Sequence, residues 1–194
     1  MTHYYSKEQD SKLVIEKIKV SVLGNELQFE TGSGVFSKGR LDKGTEVLLN
    51  HMKIKDKMRI LDLGCGYGVV GISIKKNFDV EIVMTDVNSR AVRLSKKNAK
   101  LNDVDVEILQ GDSFEKINGN FDSILLNPPQ HAGKKICFNM IEKSKDFLVD
   151  GGILQMVARH QKGGKHLSEK MEEVFGNLEI LGIKSGFRVY AAIK

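Results

Sequence analysis

The stretch MRILDLGCGYGVVGISIKKN, residues 58–77, decides the fold of this chain. A short apolar run ends in three closely spaced glycines, Gly64, Gly66 and Gly68, and a segment with helical character follows, with Gly71 in its first turn. Glycines permit a tight turn and let the backbone approach a ligand, while the start of a helix offers free amide groups. The stretch therefore predicts a strand, a ligand-binding turn and a helix.

Strand-like and helix-like segments alternate from residue 58 onward. The later strand-like segments are VEIVMTD, VEILQGD, FDSILLN, GILQMVA, LEILGIK and FRVYAAIK. Only Ser185 and Gly186 separate the last two, and since parallel neighbours need a long crossover, this pair is predicted to form an antiparallel hairpin. The pattern predicts an α/β fold with a seven-stranded sheet, mostly parallel with an antiparallel last strand.

The first 57 residues follow a different pattern. The segment KIKVSVLGNELQFETG predicts a β-hairpin that turns at Gly24–Asn25, and KGTEVLLNHM predicts a helix. No convincing linker separates this part from the rest. We therefore expect one domain over residues 1–194, with residues 1–57 as an N-terminal hairpin and helix and residues 58–194 as the core.

Composition narrows the class of protein. No apolar run approaches the roughly 20 residues that span a bilayer, and the start, MTHYYSKEQDSK, has no apolar signal-peptide core, so we expect a cytoplasmic protein. Cys65 and Cys137 lie far apart without metal-ligand spacing, which predicts reduced thiols and no metal site. The net charge of +5 permits a polyanionic partner.

Carboxylates follow three of the predicted strands, at the sheet edge where open α/β folds bind ligands. Gly66 to Gly71 satisfies GxGxxG, and Asp86 lies about 20 residues on, a pattern that leaves a nicotinamide dinucleotide open. Asp62, however, would repel phosphates and suits the ammonium group of an amino acid. Asp112, in QGDSF, can accept a hydrogen bond from an adenine amino group. These two residues favour an adenosyl ligand without a pyrophosphate.

In their order and spacing, DLGCGYG, Asp86, Asp112 and the NPP after FDSILL resemble the class I S-adenosylmethionine (SAM) dependent methyltransferases. The resemblance implies a Rossmann-like doubly wound fold with SAM as cofactor. It implies that Asp62 and the glycines cradle the methionine end, that Asp86 holds the ribose hydroxyls, and that Asp112 with Ser113 faces the adenine. The full set of cofactor-binding residues that we predict is Phe36, Ser37, Asp62, Gly64, Cys65, Gly66, Gly68, Asp86, Val87, Asp112, Ser113 and Asn127.

The only two prolines of the chain, Pro128 and Pro129, follow Asn127 directly. Prolines fix φ and lack N–H donors, so this turn is a rigid bend whose carbonyls are left as acceptors. An amino group can donate to the Asn127 side-chain oxygen and the Pro128 carbonyl, which aims its lone pair at the SAM methyl group. Positioning, and acceptors placed where positive charge develops, then supply much of the rate gain. We predict Asn127, Pro128 and Pro129 as the catalytic residues, with no separate general base.

The N-terminal part narrows the family further. GVFSKGRLDKGTEVLL, together with HYYS near the start, resembles the small-domain methyltransferases related to the bacterial enzymes that methylate guanine N2 in small-subunit ribosomal RNA. The resemblance implies that Phe36, Ser37, Asp42 and Thr45 close the SAM pocket. It also implies guanine N2 in ribosomal RNA as the acceptor, with a glutamine side chain, another nucleobase or a small-molecule amine as alternatives.

Two features depart from that family. Many base-modifying relatives carry an aromatic residue after Asn-Pro-Pro that can stack on the flipped base, and here the position is Gln130. The bacterial ribosomal RNA enzymes also carry a second, degenerate methyltransferase-like domain, whereas these 194 residues hold one copy. We therefore expect the chain to find its RNA unaided or with a partner.

Basic segments follow the fourth and fifth predicted strands of the core. QHAGKK and ARHQKGGK should emerge on the catalytic side of the sheet, where they form a basic rim for RNA phosphates. The predicted substrate-binding residues are Gln130, His131, Lys134, Arg159 and Lys162. A nicotinamide-dependent oxidoreductase and a non-catalytic RNA-binding protein stay open as alternatives.

Overall fold

A seven-stranded sheet forms the centre of the computed structural model, which describes residues 14–35, 39–129 and 133–194. In chain order the strands are β1 (Ile15–Val22), β2 (Asn25–Gly32), β3 (Arg59–Leu63), β4 (Glu81–Asp86), β5 (Glu107–Gln110), β6 (Phe121–Leu126), β7 (Leu148–Arg159), β8 (Glu179–Lys184) and β9 (Phe187–Ile193). The central sheet has the order β5-β4-β3-β6-β7-β9-β8. β3 to β7 run parallel to one another, and β9 runs antiparallel between β7 and β8. The predicted mostly parallel sheet with an antiparallel last strand is confirmed.

Helices cover both faces of this sheet. They are α1 (Lys43–His51), α2 (Val69–Asn77), α3 (Ser89–Leu101), α4 (Lys134–Asp146) and α5 (Lys165–Phe175), with a kinked turn at His160–Gly164 before α5. One apolar cluster joins one face to α1, α2, α3 and the β1–β2 hairpin, and a second joins the other face to α4 and α5. In β6, Leu125 belongs to the first cluster and Ile124 to the second. Burial on both faces explains why the core strands are nearly continuous apolar runs.

The N-terminal hairpin turns one residue earlier than predicted. Val22 pairs with Asn25, so the turn is Leu23–Gly24 and the predicted turn at Gly24–Asn25 is wrong. Both turn residues have positive φ, 51° and 83°, as a type I′ turn requires. Glycine is favoured at the second position of that turn, which places Leu23 at the first.

Two asparagines of α3 attach the hairpin to the core. The Glu30 N–H donates to Asn98 Oδ1 at 2.7 Å, and Asn98 Nδ2 donates back to the Glu30 carbonyl at 2.9 Å. Asn102, one turn later, makes the same pair of hydrogen bonds with Gln28, at 3.1 and 2.7 Å. The asparagine amides therefore take the place of a neighbouring strand along β2.

The ends of two elements show how local chemistry sets boundaries. The sequence SRAVRLSKKNAKLN predicts a helix capped by Ser89, but the cap of α3 is Asn88, because its side chain accepts hydrogen bonds from the backbone N–H groups of Arg90 and Ala91. The final hairpin turns at Ser185–Gly186, as predicted, with φ of 52° and 79°.

None of the helices in the described ranges is long and apolar enough to cross a membrane.

Candidate active site

A cavity of about 900 Å³ opens at the carboxyl edge of the parallel strands. This volume lies at the upper end of the range of about 300–1,000 Å³ for small-molecule sites, so it has room for a cofactor and part of an acceptor. The predicted site residues that line it are Asp62, Gly64, Cys65, Gly66, Asp86, Val87, Asp112, Ser113, Asn127, Pro128, Pro129 and Lys134. The topology therefore brings the glycine loop, the acidic strand ends and the Asn-Pro-Pro turn into one cavity.

The glycines of the loop fall into two groups. Gly64 and Gly66 have φ of +76° and +57°, and a side chain added at either would meet no atom within 4 Å, so they leave open space in the cavity. Gly68 faces the interior, where an added Cβ would lie 2.9 Å from Ile72 and 3.0 Å from Met84. Gly68, predicted to contact the cofactor, is thus a packing residue behind the loop and does not line the cavity.

Two carboxylates, the buried Asp62 and the half-buried Asp86, line the cavity beside this loop. Asp62 is 4% exposed, and its Oδ2 accepts a hydrogen bond from the Gly71 N–H at 2.9 Å. Burial raises the pKa of Asp62 to about 7, and the charge of Asp86 adds to the effect. Burial also raises the pKa of Asp86, although the N–H groups of Gly66 and Asn88 donate to its two oxygens. Because neither carboxylate has a cationic partner among the described residues, the pair favours a positively charged ligand.

Asp112 and Ser113 lie at the outer end of the cavity, after β5. The Ser113 hydroxyl donates to Asp112 Oδ1 at 3.0 Å, and Ser113 has a φ of +51°. Asp112 is exposed and keeps its second oxygen available to a ligand. Its position fits the predicted contact with an adenine amino group, which stays a prediction.

The Asn-Pro-Pro turn lines the same cavity at the end of β6, the strand that pairs with β3. Asn127 Nδ2 donates to Thr45 Oγ1 at 3.0 Å and to Asp42 Oδ2 at 3.2 Å. Asp42 is the N-cap of α1, and Thr45 lines the cavity. The sequence resemblance implied that these two residues close the cofactor pocket, but it gave no sign that they bind Asn127.

Comparison with known proteins identifies the family. The model of the methyltransferase small domain family matches residues 26–191. This chain belongs to that family. Its membership confirms the predicted fold class and the predicted enzyme class, a methyltransferase that uses SAM.

Individual relatives show how far the similarity extends. The Bacillus subtilis (strain 168) protein YbxB is 37% identical over 197 residues, which cover 99% of this chain and 98% of the relative. Ribosomal RNA small subunit methyltransferase C of Pseudomonas entomophila (strain L48) is 34% identical over 184 residues, covering 92% of this chain and 54% of the relative. The chain spans about half the length of the curated methyltransferases of this name that it matches.

A solved structure has the same fold. The T. thermophilus 16S rRNA N2 G1207 methyltransferase, in complex with AdoMet and guanosine, superposes with a TM-score of 0.83 at 24% identity. The match covers 95% of this chain and 51% of that chain.

Two buried hydroxyl groups of the cavity indicate that it suits a polar ligand such as SAM. Tyr67 Oη and Thr85 Oγ1 both belong to cavity-lining residues, and neither has a hydrogen-bond partner among the described residues. A buried hydroxyl without a partner is costly, so both atoms call for a polar ligand. SAM carries carboxylate, ammonium and hydroxyl groups that can pair with them and with the two carboxylates. Sequence reasoning missed Tyr67 and Thr85, although both lie next to motif residues, Gly66 and Asp86.

The predicted substrate-binding residues are distributed unevenly. Lys134 lines the cavity, and so does its neighbour Lys135, at the start of α4. Arg159 ends β7 and Lys162 lies in the kinked turn before α5, and neither is among the described residues that line the cavity. Phe36, Ser37, Gln130 and His131 lie outside the described residues. Their predicted contacts remain predictions.

Proposed function

We propose that this methyltransferase transfers the methyl group of SAM to an exocyclic amino nitrogen of a base in RNA, with guanine N2 of small-subunit ribosomal RNA as the acceptor. The observation that carries the proposal is the shared cavity, which Asn127 and Pro128 line together with the carboxylates of Asp62 and Asp86. Acceptors for an amino group and carboxylates for a cationic cofactor thus border one space.

The residues of the chain hold the cofactor by charge and shape in this proposal. Asp62 pairs with the ammonium group, Asp86 binds the ribose hydroxyls, and Asp112 binds the adenine. The open positions at Gly64 and Gly66 let the cofactor approach the backbone. Bound SAM supplies an electrophilic methyl group on a positively charged sulfur.

Asn127 and Pro128 provide the acceptors for the nucleophile. Two N–H hydrogens of the accepting amine donate to the Asn127 side-chain oxygen and the Pro128 carbonyl, so the nitrogen lone pair is directed at the methyl group. The same acceptors stabilise the positive charge that develops on nitrogen, after which one proton leaves to water. Pro129 keeps the bend rigid, and its carbonyl lies 3.7 Å from the Cys137 thiol, which fixes the turn against α4.

RNA as the substrate has three supports. Relatives that match more than 80% of this chain are named ribosomal RNA methyltransferases. Lys134 and Lys135 line the cavity, where their ammonium groups can pair with RNA phosphates beside the target base. Arg159 and Lys162 extend this basic rim in the proposal, and the net charge of the whole chain is +5. We further propose that residues 1–194 act as one domain in the cytoplasm.

The experiment that tests the function is transfer of labelled methyl from SAM to ribosomal RNA, ribosomal particles and soluble protein. Wild type is compared with Asn127→Ala, and labelled RNA is digested to nucleosides. We expect label in N2-methylguanosine that is lost in the variant. Label only in protein would replace the RNA proposal with a glutamine or other protein acceptor. Cofactor binding without transfer to any fraction would favour a non-catalytic RNA-binding protein. Binding of NADH without binding of SAM would favour the oxidoreductase.

A further inference from the structure

The amide of Asn127 is held by the N-terminal part of the chain. Its Nδ2 lies 3.0 Å from Thr45 Oγ1 and 3.2 Å from Asp42 Oδ2. The Thr45 hydroxyl lies 3.3 Å from the same Asp42 oxygen, which also accepts the Thr45 backbone N–H at 2.8 Å. The three side chains therefore form a closed hydrogen-bonded triangle at the start of α1.

The chemistry of the three groups leaves one arrangement of hydrogens. A carboxylate only accepts, so the Thr45 hydroxyl donates to Asp42 and must accept from Asn127. Asp42 and Thr45 therefore both accept from the nitrogen side of the Asn127 amide. An amide rotated by 180° would place its oxygen against the carboxylate, which is repulsive.

The amide oxygen is consequently the polar atom that remains for the cavity. Asn127 lines the cavity, and no hydrogen bond from a described residue ends on its Oδ1. A hydrogen bond to a carboxylate also polarises the amide, which makes its oxygen a stronger acceptor.

We propose that Asp42 and Thr45 are positioning residues, which hold the Asn127 amide so that its oxygen faces the accepting amine. The inference deepens the proposed function and rests on it for its catalytic consequence. Without the two contacts the amide rotates freely, and a rotated amide presents N–H groups to the N–H groups of the substrate. Misplacement of a positioning group costs up to about 100-fold in rate.

The variants separate orientation from helix capping. Asp42→Ser keeps an N-cap oxygen for α1 but is too short to reach Asn127, and Thr45→Val removes the hydroxyl at nearly constant volume. We expect each to lower kcat by about 10- to 100-fold, with the Kd for SAM changed less than about threefold. Asp42→Asn and Thr45→Ser keep an oxygen at the same place and should restore most of the rate. Glu46→Gln, which removes a charge from the same helix without contacting Asn127, is the matched control.

A double-mutant cycle shows whether the effect passes through Asn127. In the Asn127→Ala background, Asp42→Ser and Thr45→Val should cause no further loss of kcat, since the group that they orient is gone. Losses that simply multiply in the double variants would overturn the inference and leave Asp42 and Thr45 as structural residues.

A readout without turnover keeps this test separate from the proposed function. In ¹⁵N-labelled protein without SAM, the Asn127 side-chain NH₂ is assigned by its absence in Asn127→Ala. We expect its hydrogens to exchange with water at least tenfold faster in Asp42→Ser and in Thr45→Val than in wild type. Equal exchange in all three proteins would overturn the positioning role. If wild type transfers no methyl group to any acceptor, the proposed function fails, and the exchange rates alone decide the positioning.

Discussion

The substitution Asp62→Asn should make the protein more stable while it weakens cofactor binding. Burial raises the pKa of Asp62 to about 7 from its ordinary value of 3.8. Between these pH values the folded protein keeps a proton that the unfolded chain has lost, so wild-type stability falls as pH rises through this interval. An amide does not titrate, and its oxygen can still accept the Gly71 N–H. The stability advantage of the variant therefore grows with pH up to about 7.

The magnitude follows from the size of the pKa change. About three pH units at about 1.4 kcal/mol each give an upper limit of about 4 kcal/mol above pH 7. At pH 5 the variant is expected to exceed wild type by only about 2 kcal/mol in its free energy of unfolding. This difference should therefore increase by about 2 kcal/mol between pH 5 and pH 8. For a chain of this size, that corresponds to about 4–8 °C in Tm. Loss of the partner for an ammonium group should weaken SAM binding by about 10- to 100-fold.

The assay is urea unfolding of wild type and Asp62→Asn at pH 5 and pH 8, with SAM binding measured by calorimetry at pH 8. Asp105→Asn, at an exposed position, controls for the loss of a carboxylate as such and should change stability by less than about 0.5 kcal/mol at both pH values. An advantage of Asp62→Asn that is the same at pH 5 and pH 8 would refute the argument that the ionised carboxyl is destabilising. Undiminished SAM affinity would refute its assignment to the ammonium group.

A change of pH and three further sets of substitutions test the binding of SAM and RNA and the contacts between the hairpin and α3. SAM affinity of the wild type, measured by calorimetry, should fall below pH 7 by up to about tenfold per pH unit, because the cationic ligand must displace the proton on Asp62. Tyr67→Phe removes a buried hydroxyl without a partner, so Tm without SAM should rise by about 1–3 °C while SAM binds about tenfold more weakly. Asn98→Ala leaves backbone groups of β2 unpaired, and urea unfolding should show a loss of about 3 kcal/mol. Replacing Lys134 and Lys135 with Gln should weaken RNA binding and lower the slope of log K against log salt by about 1–2, measured by filter binding.

Sequence patterns predicted the main features of the fold because each depends on short-range chemistry. The tight loop needs positive φ, which glycine adopts without strain, so the glycines mark the position of the loop. A two-residue link such as Ser185–Gly186 permits only an antiparallel pair of strands. The strand ends then bring Asp62, Asp86 and Asn127 to one edge, since parallel strands share their carboxyl ends. A single residue in the hairpin turn was misplaced, because moving the turn by one position keeps the same side chains on the same face of the hairpin.

The remaining features depend on contacts that no local pattern encodes. Asn98 and Asn102 are polar residues on a helix, and apolar periodicity counts them as solvent-facing, yet they are 0% and 8% exposed because β2 lies against them. Tyr67 lies between the glycines Gly66 and Gly68, and only the fold shows that it lines the cavity. Asp42 and Asn127 are 85 residues apart in the chain, so their hydrogen bond was invisible before the topology was known.

Both N-terminal elements reach the candidate active site through an asparagine of the core. Asn98 Nδ2 donates to the Tyr67 carbonyl at 2.8 Å as well as to Glu30 of β2, so the hairpin and the glycine loop share one buried amide. Asn127 likewise connects α1 to the cavity, because its Nδ2 donates to Asp42, the N-cap of that helix. The edge of the sheet alone would form a cofactor cavity. It would fix neither the conformation of the glycine loop nor the direction of the Asn127 amide oxygen. We infer that the hairpin and α1 are parts of the catalytic unit, because each fixes a group that the sheet edge cannot orient by itself.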